Sequence, residues 1–428
     1  MKHFVDLHMH SRYARACSKD LNLANIEKYA RIKGLTIVGT GDISHPKWNE
    51  EIKKELIEDG SGILKSKTGF NFVLQGELSL MYSQGGKGRR IHYVYTVPDL
   101  DTLKLVNAAL LKRGRLDYDG RPIFGFSSIE FVDMMMDINK DIEIIPAHVW
   151  TPWFGLFGSS TGFDSVEECF QDRSKYIHAL ETGLSSDPMM NWRLSSLDKY
   201  ALVSFSDSHS FWPWRMGREA TMLDIKPTYK ELINAIRTKE GLLGTVEVDP
   251  NFGKYHFTGH RDCNISVDPV QSKKFREICP KCSRKMTVGV LERVEELADR
   301  PEGFIPDGAK PYHSLIPLSE LIAVVLKKPV ASKQVWQEFY NLVTAGRTEL
   351  DILLETPYDE LHALVSDKAL ADFIMKNREG KIKIKPGYDG VYGIPLLDDK
   401  EEELYVKEAQ LAIAKLRAKQ TGLQEFIS

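Results

Sequence analysis

Up to about residue 245, short apolar β-rich runs alternate with helical patterns, and this alternation constrains the fold more than any other feature of the chain. It is the grammar of a mainly parallel α/β architecture. Seven strands are expected, namely HFVDLH at 3–8, LTIVGT at 35–40, NFVLQGE at 71–77, RIHYVYTV at 90–97, IEIIPAH at 142–148, YIHALET at 176–182 and LVSFSDSH at 202–209. The third and fourth flank the glycine-rich stretch 84–88 and so predict a hairpin. Helical patterns such as LANIEKYARIKG and YKELINAIRTKEG fill other gaps, with C-cap glycines expected at Gly34 and Gly241.

Ionisable residues gather near the carboxyl ends of these strands: His8 and His10, Asp42 and His45, Glu77, His148, Glu181, then Asp207 and His209, with His92 on the return strand of the hairpin. A barrel of βα units brings all such ends to one face, so residues 200 positions apart can share a site. Asp6, His8 and His10 alternate, and in a strand they would converge on one spot. Six of the twelve histidines, with Glu77 and Asp207, are too many to explain as packing, because buried ionisable groups are costly without partners. A multimetal site is the expectation.

The HxH opening, the strand-end glutamate, the two separate histidines and the closing Asp207-Ser-His209 resemble the polymerase and histidinol phosphatase (PHP) family. The resemblance implies a distorted seven-stranded (β/α) barrel holding up to three metals. It places His8, His10, Glu77 and Asp207 on one ion and Glu77, His92 and His148 on a second, with Glu77 bridging. A third ion would take His45, His209 and Asp20, with Cys17 as the alternative to Asp20. The family's TDH-like motif reads Gly41-Asp42-Ile43-Ser44-His45 here, so the histidine is displaced. Mixed imidazole and carboxylate ligands suit zinc or manganese better than magnesium, so zinc is expected in the active site, with Mn or Mg supporting activity. Such a site hydrolyses phosphate esters with metal-activated water, and Glu77, Asp207 and His148 would act through the ions.

Farther along, His260-Arg-Asp-Cys263 and Cys279-Pro-Lys-Cys282 are paired knuckles separated by 15 residues, a spacing that fits one structural zinc, with His256 as a competing ligand. Between Lys254 and Lys285 stand eight Lys or Arg against three Asp or Glu, a surface suited to phosphates. The stretches SRYARACSKDLNL, GTGDISHPKW, CPKCSRKMTVGVLERVEELADR and PYHSLIPLSELIA then narrow the resemblance to the endonuclease Q family, across essentially the whole chain. It implies a PHP nuclease barrel at 1–250, a zinc finger with a following helix at 251–300 and a helical C-terminal domain at 301–428. The implied reaction is cleavage of DNA 5′ to a deaminated base (uracil, hypoxanthine, xanthine) or an abasic site, leaving a 3′-hydroxyl and a 5′-phosphate. A damaged base would be turned out of the stack, and Trp150, Trp153 and Arg215 are expected near it.

The end of the chain reads as helical, interrupted by KIKIKPGYDGVYG, where Lys381, Lys383 and Lys385 alternate along an expected edge strand. The last residues, with Gln420, Leu423, Phe426 and Ile427, resemble the short peptide by which repair enzymes dock on the sliding clamp. No apolar run reaches the roughly 18 residues needed to span a bilayer, and Met1-Lys2-His3 leads into a strand pattern, so a cytoplasmic protein is expected. Five cysteines are too few and too scattered for a disulfide scaffold, and a net charge of -3 neither advertises nor excludes nucleic acid. Two rivals stand beside the nuclease reading: a small-molecule phosphatase of the histidinol phosphatase type, and a nucleic-acid binding module with a vestigial barrel.

Overall fold

The computed structural model describes residues 1–344, 346–397, 400–405 and 407. The strands are β1 Lys2–Asp6, β2 Ile37–Gly39, β3 Leu64–Lys65, β4 Asn71–Val73, β5 Gln75–Gln84 and β6 Lys87–Thr96. There follow β7 Ile123–Phe124, β8 Glu143–Pro146, β9 Ala179–Glu181, β10 Ala201–Val203, β11 Ala220–Asp224 and β12 Leu242–Glu247. Five short strands complete the set: β13 Thr258–His260, β14 Ile265–Val267, β15 Tyr312–Ser314, β16 Ile384–Lys385 and β17 Ile394–Pro395.

Each of the seven expected runs overlaps a strand, but the strands do not close into one barrel. They form a seven-stranded sheet in the order β15-β12-β11-β1-β2-β4-β3, a four-stranded sheet β7-β5-β6-β8, and the parallel pair β9 and β10. NFVLQGE is divided at Leu74, where the chain passes from the first sheet to the second. Strand β11, which no expected run covers, lies antiparallel to both β1 and β12. The sheets meet through single contacts past the strand ends: Val149 N–H donates to the Glu181 carbonyl (3.0 Å), and Met9 pairs with Ser208. There the backbone has already left strand geometry, with φ of 31° at His148 and 48° at Asp207, so no regular ladder can continue.

The first six side chains of β5, QGELSL, are all buried, which puts Glu77 inside the protein. The hairpin of β5 and β6 turns at Gly85 and Gly86, both at positive φ. Helix Leu23–Lys33 starts on the Asn22 side chain and ends on Gly34, at φ 103°. A Cβ at Gly34 would come within 2.6 Å of Thr348 Oγ1, so the glycine also admits the start of helix Glu349–Leu354. The second expected cap is displaced: helix Tyr229–Thr238 ends on Lys239 in the left-handed conformation, two residues before Gly241.

Past residue 316 the chain is mostly helical, through Leu318–Leu326, Lys333–Leu342, Glu349–Leu354, Tyr358–Leu364 and Lys368–Arg378. This part is tied to the N-terminal part by a buried ion pair, Lys33 Nζ to Glu349 Oε1 at 2.8 Å. Lys381, Lys383 and Lys385 are exposed around buried Ile382, and β16 pairs with β17. Among the described residues no helix is long and apolar enough to cross a membrane. The clamp-like residues Gln420, Leu423, Phe426 and Ile427 lie outside the described residues.

Candidate active site

Two groups of side chains share one carboxylate. His8, His10, Glu77 and Asp207 bring ligand atoms within 4.8 Å of one another, as do Glu77, His92 and His148. Glu77 Oε2 lies 3.4 Å from His8 Nε2 and 3.1 Å from His10 Nε2, while its Oε1 lies 2.8 Å from His92 Nδ1 and 3.8 Å from His148 Nε2. Asp207 Oδ1 stands 3.4 Å from His8 Nε2 and 3.2 Å from His10 Nε2. His8 Nε2, His10 Nε2, Glu77 Oε1 and Asp207 Oδ1 are buried and make no hydrogen bond. Buried polar atoms without partners are rare, and carboxylate oxygens with imidazole nitrogens aimed at one point are what a divalent cation requires.

The far sides of the rings are held. His8 Nδ1 lies 2.9 Å from Glu181 Oε1, and His10 Nδ1 lies 3.0 Å from Asp42 Oδ1. These contacts direct each Nε2 lone pair inward, the usual support of a ligating imidazole. Asp42 Oδ2 also accepts from the Ser11 amide and hydroxyl, both at 2.6 Å. Glu181 Oε2 accepts from the His148 amide at 2.6 Å, and the Thr151 hydroxyl sits 2.9 Å from His148 Nδ1.

The electrostatics follow from these neighbours. Burial alone would raise the Glu77 carboxyl, but Arg121, His92, His8 and His10 outweigh it and hold it well below the usual carboxylate range. Burial alone would lower His8, and Glu181, Asp207 and Glu77 overcome that. In His92 burial wins over the pull of Glu77 and lowers the imidazole to about 4, leaving the neutral ring a metal needs. Asp42, His148 and Asp207 all have positive φ, a strained backbone concentrated at the site.

The cluster opens on a cavity of about 670 Å³. It is lined by His92, His148, Asp207 and His209 from the cluster and its neighbourhood, and by Arg121, Trp153, Arg215, Arg218, Lys254 and Tyr392. A second group, His260, Cys263, Cys279 and Cys282, is gathered by β13, the turn Arg261–Cys263 and the knuckle after helix Pro269–Phe275, again within 4.8 Å.

The fold has counterparts among solved structures. The lesion-specific endonuclease PfuEndoQ from Pyrococcus furiosus superposes with a TM-score of 0.83 and 29% identity, covering 94% of this chain and 97% of that one. An endonuclease Q in complex with a 27-mer duplex bearing an abasic lesion at its active site gives 0.84 and 30% identity, over 94% of this chain and 98% of that one. The chain belongs to the endonuclease Q family. A family model described as the MJ0043 C-terminal domain matches residues 317–381. The uncharacterized protein MJ0043 of Methanocaldococcus jannaschii is 33% identical over 316 residues, and the match spans 71% of this chain but only 38% of that protein. The uncharacterized protein YqxK of Bacillus subtilis is 28% identical over 418 residues, 92% of this chain and 98% of that one.

Within this endonuclease Q fold, the residues expected on the first two ions stand together, and those expected on a third do not. His45 lies outside both groups, buried with its ring stacked on Tyr13 at 4.4 Å at the start of helix Pro46–Glu55, because Ile43 fills the core directly after Asp42. Asp20 is exposed in the turn before helix Leu23–Lys33 and belongs to neither group. Cys17 also joins neither group, and burial pushes its thiol up to about 12. His209 is nearer, its ring 4.3 Å from that of His10 and its Nδ1 3.6 Å from Asp207 Oδ1, but it belongs to neither group. Asp6 does not point at the ligands; it accepts from the Ser206 amide, the Ser206 hydroxyl and the Gly217 amide, pinning β1 to the chain after β10.

Of the residues expected near a flipped base, Trp153 and Arg215 line the cavity. Trp150 does not: it is fully buried, bonded through Nε1 to Asn191 Oδ1 at 2.8 Å and packed on Phe157. Trp212 and Trp214 are spent on each other and on Trp336. His256 stays outside the cysteine group, stacked on Phe257. Arg121 had no signal in strand patterning, because it comes from the loop before β7; the clue was Gly120, whose Cβ would meet Asp42 Oδ2 at 2.2 Å, so only glycine lets that loop approach.

Proposed function

We propose that this chain is a metal-dependent DNA repair endonuclease that hydrolyses the phosphodiester 5′ to a deaminated base or an abasic site, leaving a 3′-hydroxyl and a 5′-phosphate. The observation that carries the reading is the pair of ligand groups sharing Glu77 on the wall of a cavity large enough for an unstacked nucleotide, in a chain of the endonuclease Q family.

Divalent ions held by His8, His10, Glu77 and Asp207, and by Glu77, His92 and His148, would supply an activated water and neutralise charge on the phosphate. The protein's own contribution is positional. Glu181 and Asp42 orient the two HxH imidazoles, and the Arg121 guanidinium, 3.1 Å from Glu77 Oε2, reaches the cavity where phosphoryl charge develops. We assign to His209, which lines the same cavity, transfer of a proton to the leaving 3′ oxygen. Trp153, at the wall, is placed to stack on the extruded nucleotide. We take the His260, Cys263, Cys279 and Cys282 group as a closed structural zinc and the ions of the active site as zinc, with Mn or Mg supporting turnover. The tail 420–427 completes the reading as a clamp tether; unchanged clamp binding after deletion of 420–428 would remove that part.

The test is denaturing-gel mapping of a duplex with one central deoxyuridine, end-labelled on the damaged strand, with Asp207→Asn as control. A single nick 5′ to the uracil, absent in the control and in undamaged DNA, is expected. Phosphate release from a chromogenic monoester, with no nick at any deaminated base or abasic site, would favour the phosphatase, and binding without cutting the vestigial module.

A further inference from the structure

Three separate stretches of chain bring a group of cations to the cavity wall. Arg215 and Arg218 come from the loop after β10, Lys254 from the segment after β12, and Tyr392 from the turn between β16 and β17. The turn is locked onto the Lys254 segment by backbone bonds: Gly387 N–H to Asn251 O (2.9 Å), Gly390 N–H to Lys254 O (2.8 Å) and Gly393 N–H to Phe252 O (3.0 Å). A Cβ at Gly393 would lie 2.2 Å from Asn251 O, and one at Gly387 2.4 Å from Gly253 O, so the glycines of KPGYDGVYG are there to let the two backbones touch.

The cations on this wall make no close ion pair: among the described residues none of Arg215, Arg218 or Lys254 has a carboxylate within 4.0 Å. Arg218 is only 8% exposed; one of its nitrogens donates to the Ser206 carbonyl at 3.3 Å, and its buried Nε has no partner. Glu320, on helix Leu318–Leu326, faces both Arg215 and Arg218, and Glu219, which is spent on Ser204, also faces Arg218. Arg215 lies 5.5 Å from the Tyr392 ring centroid and Lys254 6.0 Å from it. Burial would raise the Tyr392 phenol, yet Arg218, Arg215 and Lys254 together pull it below its ordinary value, a measure of how positive this wall is. A buried guanidinium with an unfilled donor is costly unless an anion completes it.

We propose that Arg215, Arg218 and Lys254, held in register by Tyr392, form a subsite for a backbone phosphate of the damaged strand next to the one being cut. The segment 384–395 thereby completes the catalytic cavity of the N-terminal part. The inference rests on the nuclease reading above. It gives the glycine-rich segment a role: without it Lys254 and Tyr392 would have no fixed place on the wall.

The experiment measures binding of an abasic duplex in which single phosphates near the lesion are replaced, one at a time, by neutral methylphosphonates. Full-length wild type is compared with Arg215→Ala, Lys254→Ala and the double variant. In wild type one flanking replacement weakens binding roughly tenfold, and in the double variant that same replacement has no further effect. The salt slope of binding falls by about one for each cation removed. Arg218 is buried and its loss can unfold the loop, so it is left in place. Equal sensitivity of wild type and double variant to every methylphosphonate would overturn the subsite. So would competition by inorganic phosphate that the double variant loses while methylphosphonates stay silent, since that assigns the wall to a free anion. Failure of wild type to nick any damaged duplex strikes the nuclease reading itself, and is told apart by the gel.

Discussion

His8 Nδ1 lies 2.9 Å from Glu181 Oε1, with both side chains completely buried. The carboxylate makes the imidazole keep its proton on Nδ1 and point Nε2 at Glu77 and Asp207. Glu181→Gln should therefore retain the fold and lose roughly tenfold in metal affinity, and Glu181→Ala roughly a hundredfold. Metal content after dialysis against graded chelator, with circular dichroism as the folding control, reads this directly. Full metal retention in both variants would show that His8 needs no such support.

Arg121 offers a different kind of prediction, because it touches the ligand Glu77 and also lines the cavity. If its charge serves the phosphate, Arg121→Ala lowers the single-turnover nicking rate about a hundred- to a thousandfold with metal content held. Arg121→Lys should recover part of the rate, since a point charge remains without the fork. A parallel fall in rate and metal would instead make Arg121 a prop for Glu77.

Glu219 and Glu247 form a buried carboxylate pair away from the ligands, and Glu247 accepts from the Thr245 and Thr182 hydroxyls at 2.6 and 2.8 Å. Burial raises Glu247 to about 8 from an ordinary 4.5. Between those values the folded protein keeps a proton that the unfolded chain has released. The stability is thus complete below pH 4.5 and drains away as pH rises towards 8. Glu247→Gln, which cannot ionise, should be more stable than wild type at pH 8 by roughly 1–3 kcal/mol and show no advantage at pH 4.5. Urea titrations at the two pH values settle it.

Lys33 and Glu349 form the buried ion pair between the N-terminal and helical parts. The Lys33 ammonium also donates to the Pro213 carbonyl at 2.9 Å, and Glu349 Oε1 accepts from the Leu318 amide at 2.9 Å, so the pair joins four stretches of chain. Lys33→Met alone strands a buried carboxylate and should cost about 3–5 kcal/mol, while adding Glu349→Gln should return most of it. Denaturant midpoints of the two variants test the pair, and a double variant as unstable as the single one would contradict it.

Much of the site was legible because its chemistry recurs at strand ends: alternation in HMH, and an acid or imidazole after each apolar run, sufficed to bring His8, His10, Glu77, His92, His148 and Asp207 together. What stayed hidden depends on the path between strands. His45 was assigned to an ion because spacing does not reveal which way a chain turns after Asp42, and Trp150 looked available because a tryptophan beside His148 reads the same whether its indole meets solvent or Asn191. Arg121, Lys254 and Tyr392 reach the cavity from loops, where no periodicity marks a side chain's direction. The helical end was legible from its apolar repeat, whereas the break between β4 and β5 at Leu74, which divides one expected strand between two sheets, has no signature in polarity.

Asp42, His148 and Asp207 sit at φ values of 45°, 31° and 48°, where side chains other than glycine are held under strain. That puts strain at the working heart of the molecule, and it sets two goals of an engineer against each other. A library selected purely for survival on heating, with no demand that DNA be cut, would be rewarded for relaxing these turns, at position 207 above all, where glycine removes a buried, unpartnered carboxylate oxygen along with the strain. The sturdiest descendants of such a selection would be the ones that no longer cut.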